Sequence, residues 1–147
     1  MTIHRLFSKD PNDEEENVTQ NIYVFRFILF CIIVYSFEML LNSVDIFIVD
    51  KTIFTRGYVT GCLFAAVYVL ILLHLGLEHP LTKYVSITAV SLIIMAASVS
   101  LTYHMIIIIM MPIIIAGMYT SKQLSIYTFV LTVLSIIIST YAGYYYG

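Results

Sequence analysis

The chain has 147 residues, of which 61% are hydrophobic and 11% charged, with a formal net charge of −2 and a mean hydropathy of +0.96. An average soluble domain is about 45–50% apolar and about 25% charged, so the composition argues for the membrane class, and the charge balance gives no support for nucleic-acid binding. The length leaves room for four to six spans of roughly 20 residues each, and for no separate catalytic domain.

Residues 1–20 are polar, with Arg5 and Lys9 followed by the acidic run at 13–16, and read as a solvated cytoplasmic tail. Residues 21–41 form the first span. It carries Arg26 and Glu38, about 18 Å apart along a helix. In a hydrocarbon core of about 30 Å, both lie inside opposite ends. One reading is snorkelling to the two interfaces. The other is a buried polar contact that answers a signal or a ligand. Glu38 is the stronger candidate for the second, because its short side chain snorkels poorly.

Residues 42–56 read as a loop whose apolar centre, 46–49, lies on the membrane surface between Asp45 and Asp50. Residues 57–77 form the second span. Gly57, Gly61 and Ala65 recur every four residues and make a ridge that lets another helix come close. His74, Glu78 and His79 have a loosely metal-like spacing, but Pro80 ends the helix and no further ligand is in reach. An interfacial polar cluster is the expectation, with no metal site. Cys31 and Cys62 both fall in spans and read as buried thiols.

After a turn at 78–83, residues 84–101 form the third span, which ends on the small residues Ala96, Ala97, Ser98 and Ser100. One helix over 84–119 would measure about 54 Å, too long for one crossing. Two spans joined by a tight turn are preferred, with a re-entrant hairpin as the other arrangement. His104 sits beside Tyr103 at that turn, either as an interfacial belt residue or as a sensor whose charge changes near neutral pH.

The fourth span, 105–119, is short, and Pro112 should kink it. The fifth runs over 124–145. Its Thr128, Thr132, Ser135, Ser139 and Ala142 fall on one helical face, which should meet other helices. Tyr141, Tyr144, Tyr145 and Tyr146 make an interfacial belt.

The expected architecture is therefore an all-α, polytopic transmembrane bundle of about five spans. Arg5, Lys9, Arg26, Lys83 and Lys122 fall on one side, and Lys51 and Arg56 on the other. The positive-inside rule then makes this a multi-pass protein of the cell membrane, with a cytoplasmic N-terminus and an extracellular C-terminus. The chain stops after the tyrosine belt with no polar tail, which points to a longer parent protein.

Residues 104–147, HMIIIIMMPIIIAGMYTSKQLSIYTFVLTVLSIIISTYAGYYYG, and the entry into the first span, EENVTQNIYVFRFILF, resemble the multi-span N-terminal region of Gram-positive bacterial signalling proteins. In these a diguanylate cyclase (GGDEF) domain or a sensor histidine kinase follows the membrane region. The resemblance implies membrane anchoring and sensing, with helix dimers as a further expectation by analogy. The GGDEF motif, the phospho-accepting histidine box and ATP-binding motifs are absent from this sequence, so no enzymatic role or cofactor is carried over.

The sequence admits three functions. The first is a sensing and anchoring module, with Glu38, His104 and Pro112 as the residues that matter and a ligand the sequence does not name. The second is a stand-alone small membrane protein, a transporter subunit or an assembly partner. Reading the coding DNA beyond Gly147 separates the two. The third, a membrane-embedded enzyme, lacks converging nucleophiles, paired carboxylates and any HExxH or GxSxG pattern.

Overall fold

The computed structural model describes residues 16–46, 49–101, 106–119 and 121–146, and among these every regular element is a helix. In chain order they are α1 (Glu16–Ser43), α2 (Lys51–Leu75), α3 (Thr82–Leu101), α4 (Ile106–Ile109), α5 (Met111–Gly117) and α6 (Lys122–Tyr146). Among the described residues, four helices are long and apolar enough to cross a membrane: α1, α2, α3 and α6. The fold is an all-α bundle. Most of the acidic run, the loop residues Phe47 and Ile48, and His104 lie outside the described residues.

Local chemistry sets the ends of α2. Asp50 accepts hydrogen bonds from the backbone N–H groups of Thr52 and Ile53, both at 2.9 Å, and so caps the helix. The sequence placed the start of this span at Gly57; the cap moves it back to Lys51 and shortens the loop. At the other end Gly76 takes φ +83°, which an L side chain rarely adopts, and its N–H returns to the Leu72 carbonyl. The helix is over before Glu78, so His74 and Glu78 share no helical face.

Contacts between helices fix their directions. Asn21 near the start of α1 bonds the carbonyl of Leu77 just past α2, and Ser36 near the end of α1 meets Tyr58 near the start of α2. α1 and α2 are therefore antiparallel. Tyr68 of α2 meets Ser86 of α3, and Gly57 of α2 lies against Ser100 of α3, so these two are antiparallel as well. Tyr127 of α6 packs edge-on against Tyr84 near the start of α3, with ring centroids 5.4 Å apart, and its hydroxyl meets Thr88. α3 and α6 thus begin at the same end of the bundle, and the stretch between them must return across it.

That return is not the single span read over 105–119. It consists of the two short helices α4 and α5, broken at Met110. The physical reason is twofold. Four consecutive β-branched isoleucines, 106–109, are stiff at χ1 and form helix only moderately well. Pro112 has no N–H, and its ring would meet the carbonyl four residues back in a continuous helix. It sits instead in the first turn of α5, where neither defect matters. The backbone closes the break with a tighter bond, Ile113 N–H to Met110 carbonyl at 3.1 Å.

α3 is the central helix: 61% of its most apolar window is buried, against 22%, 17% and 22% for α1, α2 and α6. The peripheral helices turn apolar side chains outward, among them Phe30, Ile33 and Phe37 of α1 and Leu63 and Leu70 of α2. α6 is inverted relative to a helix of a soluble protein. Its buried face carries Thr128, Thr132, Ser135 and Ser139, while Phe129, Val130, Ile137 and Ile138 are exposed. In water the more apolar face packs inward. An outside more apolar than the inside matches hydrocarbon as the solvent, where small and weakly polar residues let helices approach. The chain is built as a multi-pass membrane protein.

Candidate functional site

The six residues Phe27, Phe30, Cys31, Val34, Tyr35 and Glu38 are spaced to share one face of α1. That face forms one wall of a cleft of about 180 Å³. Ile94 and Ala97 of α3 supply the second wall, and Ile108 of α4 with Met111 of α5 the third. Among the described residues lining it, Glu38 is the one that carries a charge. Met111 adjoins Pro112, which is buried, so the fold brings the Glu38 carboxylate and the helix break to the same cleft. These two of the three residues singled out from the sequence share a neighbourhood; His104 lies outside the described residues.

The α1 wall is held rigidly. The Tyr35 hydroxyl and the Ser100 hydroxyl share a buried hydrogen bond. The Tyr35 ring stands edge-on to both Phe54 and Tyr58, each with centroids 5.4 Å away. Gly57 makes room for this: a Cβ there would lie 2.6 Å from Ser100 Cβ and 2.8 Å from the Tyr35 hydroxyl. A Cβ at Gly61, one turn further on, would lie 3.3 Å from the Tyr35 ring and 4.0 Å from Ala96 Cβ. Ala65 packs half-buried against the main core.

At the opposite end a second polar group ties the returning stretch down. Asn21, 1% exposed, donates to the Leu77 carbonyl at 2.9 Å and accepts from the Tyr119 hydroxyl at 2.8 Å. Gln20 donates to the Met118 carbonyl at 2.6 Å. One asparagine therefore joins the start of α1, the end of α2 and the end of α5. The sequence reading passed over Asn21, Tyr35 and Tyr119. Each is a polar group in or beside an apolar run, and in a membrane that alone marks a residue with a partner to find.

Comparison with protein-family models, with curated proteins and with solved structures found no match.

A second groove, of about 260 Å³, lies on the other side of α3, lined by Arg56, Gly57 and Thr60 of α2 and Met95 and Val99 of α3. Its charge is the opposite one. Arg56 is exposed and long enough to carry its guanidinium to the headgroup layer. Glu38 is half-buried and short, and its charge stays near the cleft. Among the described residues no three His, Cys, Asp or Glu side chains cluster as a metal site would need.

Proposed function

We propose that this chain is the membrane-anchoring and signal-sensing module of a bacterial signal-transduction system, with α4 and α5 as its moving part. The observation that carries the reading is the broken return stretch beside Glu38. A continuous helix resists bending, whereas a break with tightened, single-turn bonds gives a hinge between two arrangements of similar energy. A ligand in the cleft, or a change in bilayer thickness, favours whichever arrangement it fits better. The shift then passes to α3 and α6, against which both short helices pack. An output domain of the cyclase or kinase kind, linked to the bundle, would read it.

The test uses spin labels at Ile114 of α5 and Ile33 of α1, both exposed and neither lining the cleft. The two native cysteines are replaced by alanine. Distances are measured by electron paramagnetic resonance in short-chain and long-chain phosphatidylcholine bilayers. The α1–α5 distance should change by more than the distance between Ile33 of α1 and Leu70 of α2. Equal changes, or none, overturn the hinge. Reporter fusions after Lys51, Lys83, Lys122 and Gly147 should alternate in sidedness, with the two termini on opposite faces.

A further inference from the structure

The Glu38 cleft has a chemistry that selects its occupant. Its volume of about 180 Å³ is close to that of an engineered apolar cavity of about 150 Å³ that takes up benzene. It therefore holds a group of about that size. Its walls are apolar and include the rings of Phe27, Phe30 and Tyr35. An ionised carboxylate in such surroundings is costly, and it takes up a proton unless a positive charge or a hydrogen-bond donor meets it. Among the described residues no Lys, Arg or His lines the cleft. An anion is excluded by the sign of the charge. A divalent metal is disfavoured by a single carboxylate with no second carboxylate or imidazole among the described lining residues. An alkyl chain of a lipid would fill the volume but leave Glu38 protonated and unused, whereas a cation keeps it ionised and bound.

We infer that the cleft binds a small organic monocation with an apolar body, an aryl-alkyl ammonium for example, its charge on the Glu38 carboxylate and its body between Phe30, Ala97 and Met111. Aromatic rings add to the attraction, since quaternary ammonium groups are held by ring faces as well as by carboxylates. The bound cation presses on Met111, next to the Pro112 break. The inference rests on the cleft being the sensing site, and it supplies the class of ligand.

The test compares benzyltrimethylammonium with neopentylbenzene, which has the same shape and no charge. Each is titrated into the protein in uncharged phosphatidylcholine nanodiscs and followed by the methionine-methyl NMR signal of Met111, assigned with Met111→Leu. The cation should bind at least about tenfold more tightly than its neutral analogue, a difference of about 1.4 kcal/mol. Glu38→Gln should remove that preference and Glu38→Asp should keep part of it. Ala97→Phe, which fills the cleft from α3, should weaken both ligands.

Equal affinities in the wild-type protein overturn the inference without need of any variant. So does a preference that survives Glu38→Gln, or binding that Ala97→Phe leaves intact. Cation binding with no change in the α1–α5 distance upholds the site and overturns the sensing. A distance change with bilayer thickness but no preference for the cation does the reverse.

Discussion

The two ends of the bundle are fastened by different physics. Where α1 and α3 begin, the joints are directional hydrogen bonds from side chains: Asn21 to the Leu77 carbonyl, Tyr119 to Asn21, and Gln20 to the Met118 carbonyl. Where they end, the joint is mainly steric. Gly57 lets Ser100 and Tyr35 come within reach, and Tyr35 is boxed by Phe54 and Tyr58. The returning stretch is tied at the first end through Tyr119. Towards the second, its Ile108 and Met111 face the Glu38 cleft. On the proposed reading, filling the cleft beside Glu38 would tilt α4 while the bond of Tyr119 to Asn21 holds the other end in place.

The steric joint should be the easier to break. Gly57→Leu places a branched side chain where a Cβ alone already meets Ser100 Cβ at 2.6 Å. Ser100 Cβ sits next to the backbone and cannot swing aside, so α2 and α3 must separate. Overpacking of this kind costs about 3 kcal/mol, even though leucine is the better helix former. Unfolding in mixed detergent micelles, followed by far-ultraviolet circular dichroism, measures it. A loss below about 1 kcal/mol would show that the joint is loose.

The polar joint should come next. Asn21→Leu removes one donor and one acceptor at a position 1% exposed, and strands both the Leu77 carbonyl and the Tyr119 hydroxyl. Hydrogen bonds between membrane helices average about 0.6 kcal/mol, but abandoned partners raise the cost, so about 2 kcal/mol is expected. Tyr119→Phe removes one of the two bonds and should cost about 1 kcal/mol in the same assay. The double variant should be less destabilised than the sum, because both changes delete one shared bond. Strict additivity would mean that Tyr119 and Asn21 do not hold each other.

The contrast also explains what was legible in the amino-acid sequence. Runs of apolar residues and their polar breaks give α1, α2, α3 and α6, because hydrocarbon demands helices of that length. The start of α2 at Lys51 was missed because its signal is a single capping side chain, Asp50, inside a stretch that otherwise reads as loop. From the sequence the return stretch reads as a kinked span. That four β-branched isoleucines and a proline break it outright is a tertiary outcome, since the pieces hold their places by packing on α3 and α6. Glu38 and Pro112 stood out as a charge and an irregularity where neither is cheap. Their meeting at one cleft was not legible, nor was the Asn21 joint, whose partners lie 56 and 98 positions away.

The smallest expected change in stability tests the largest functional claim. Pro112→Ala adds a backbone donor and removes the ring that keeps α4 and α5 apart. Pro112 sits in the first turn of α5, where proline is tolerated, so the stability should move by no more than about 1 kcal/mol, and upward if at all. The consequence for motion should be larger. With a donor at position 112 reaching the Ile108 carbonyl, Ile106–Ile109 and Met111–Gly117 join into one stiffer helix. The α1–α5 distance should then respond less to bilayer thickness, while Tyr119 keeps its bond to Asn21. If Pro112→Ala leaves that response at full size, the break is a packing accommodation and the hinge lies elsewhere in the returning stretch. If it raises stability and abolishes the response together, the proline is retained at a cost in rigidity for the sake of movement, which is the trade a sensing element requires.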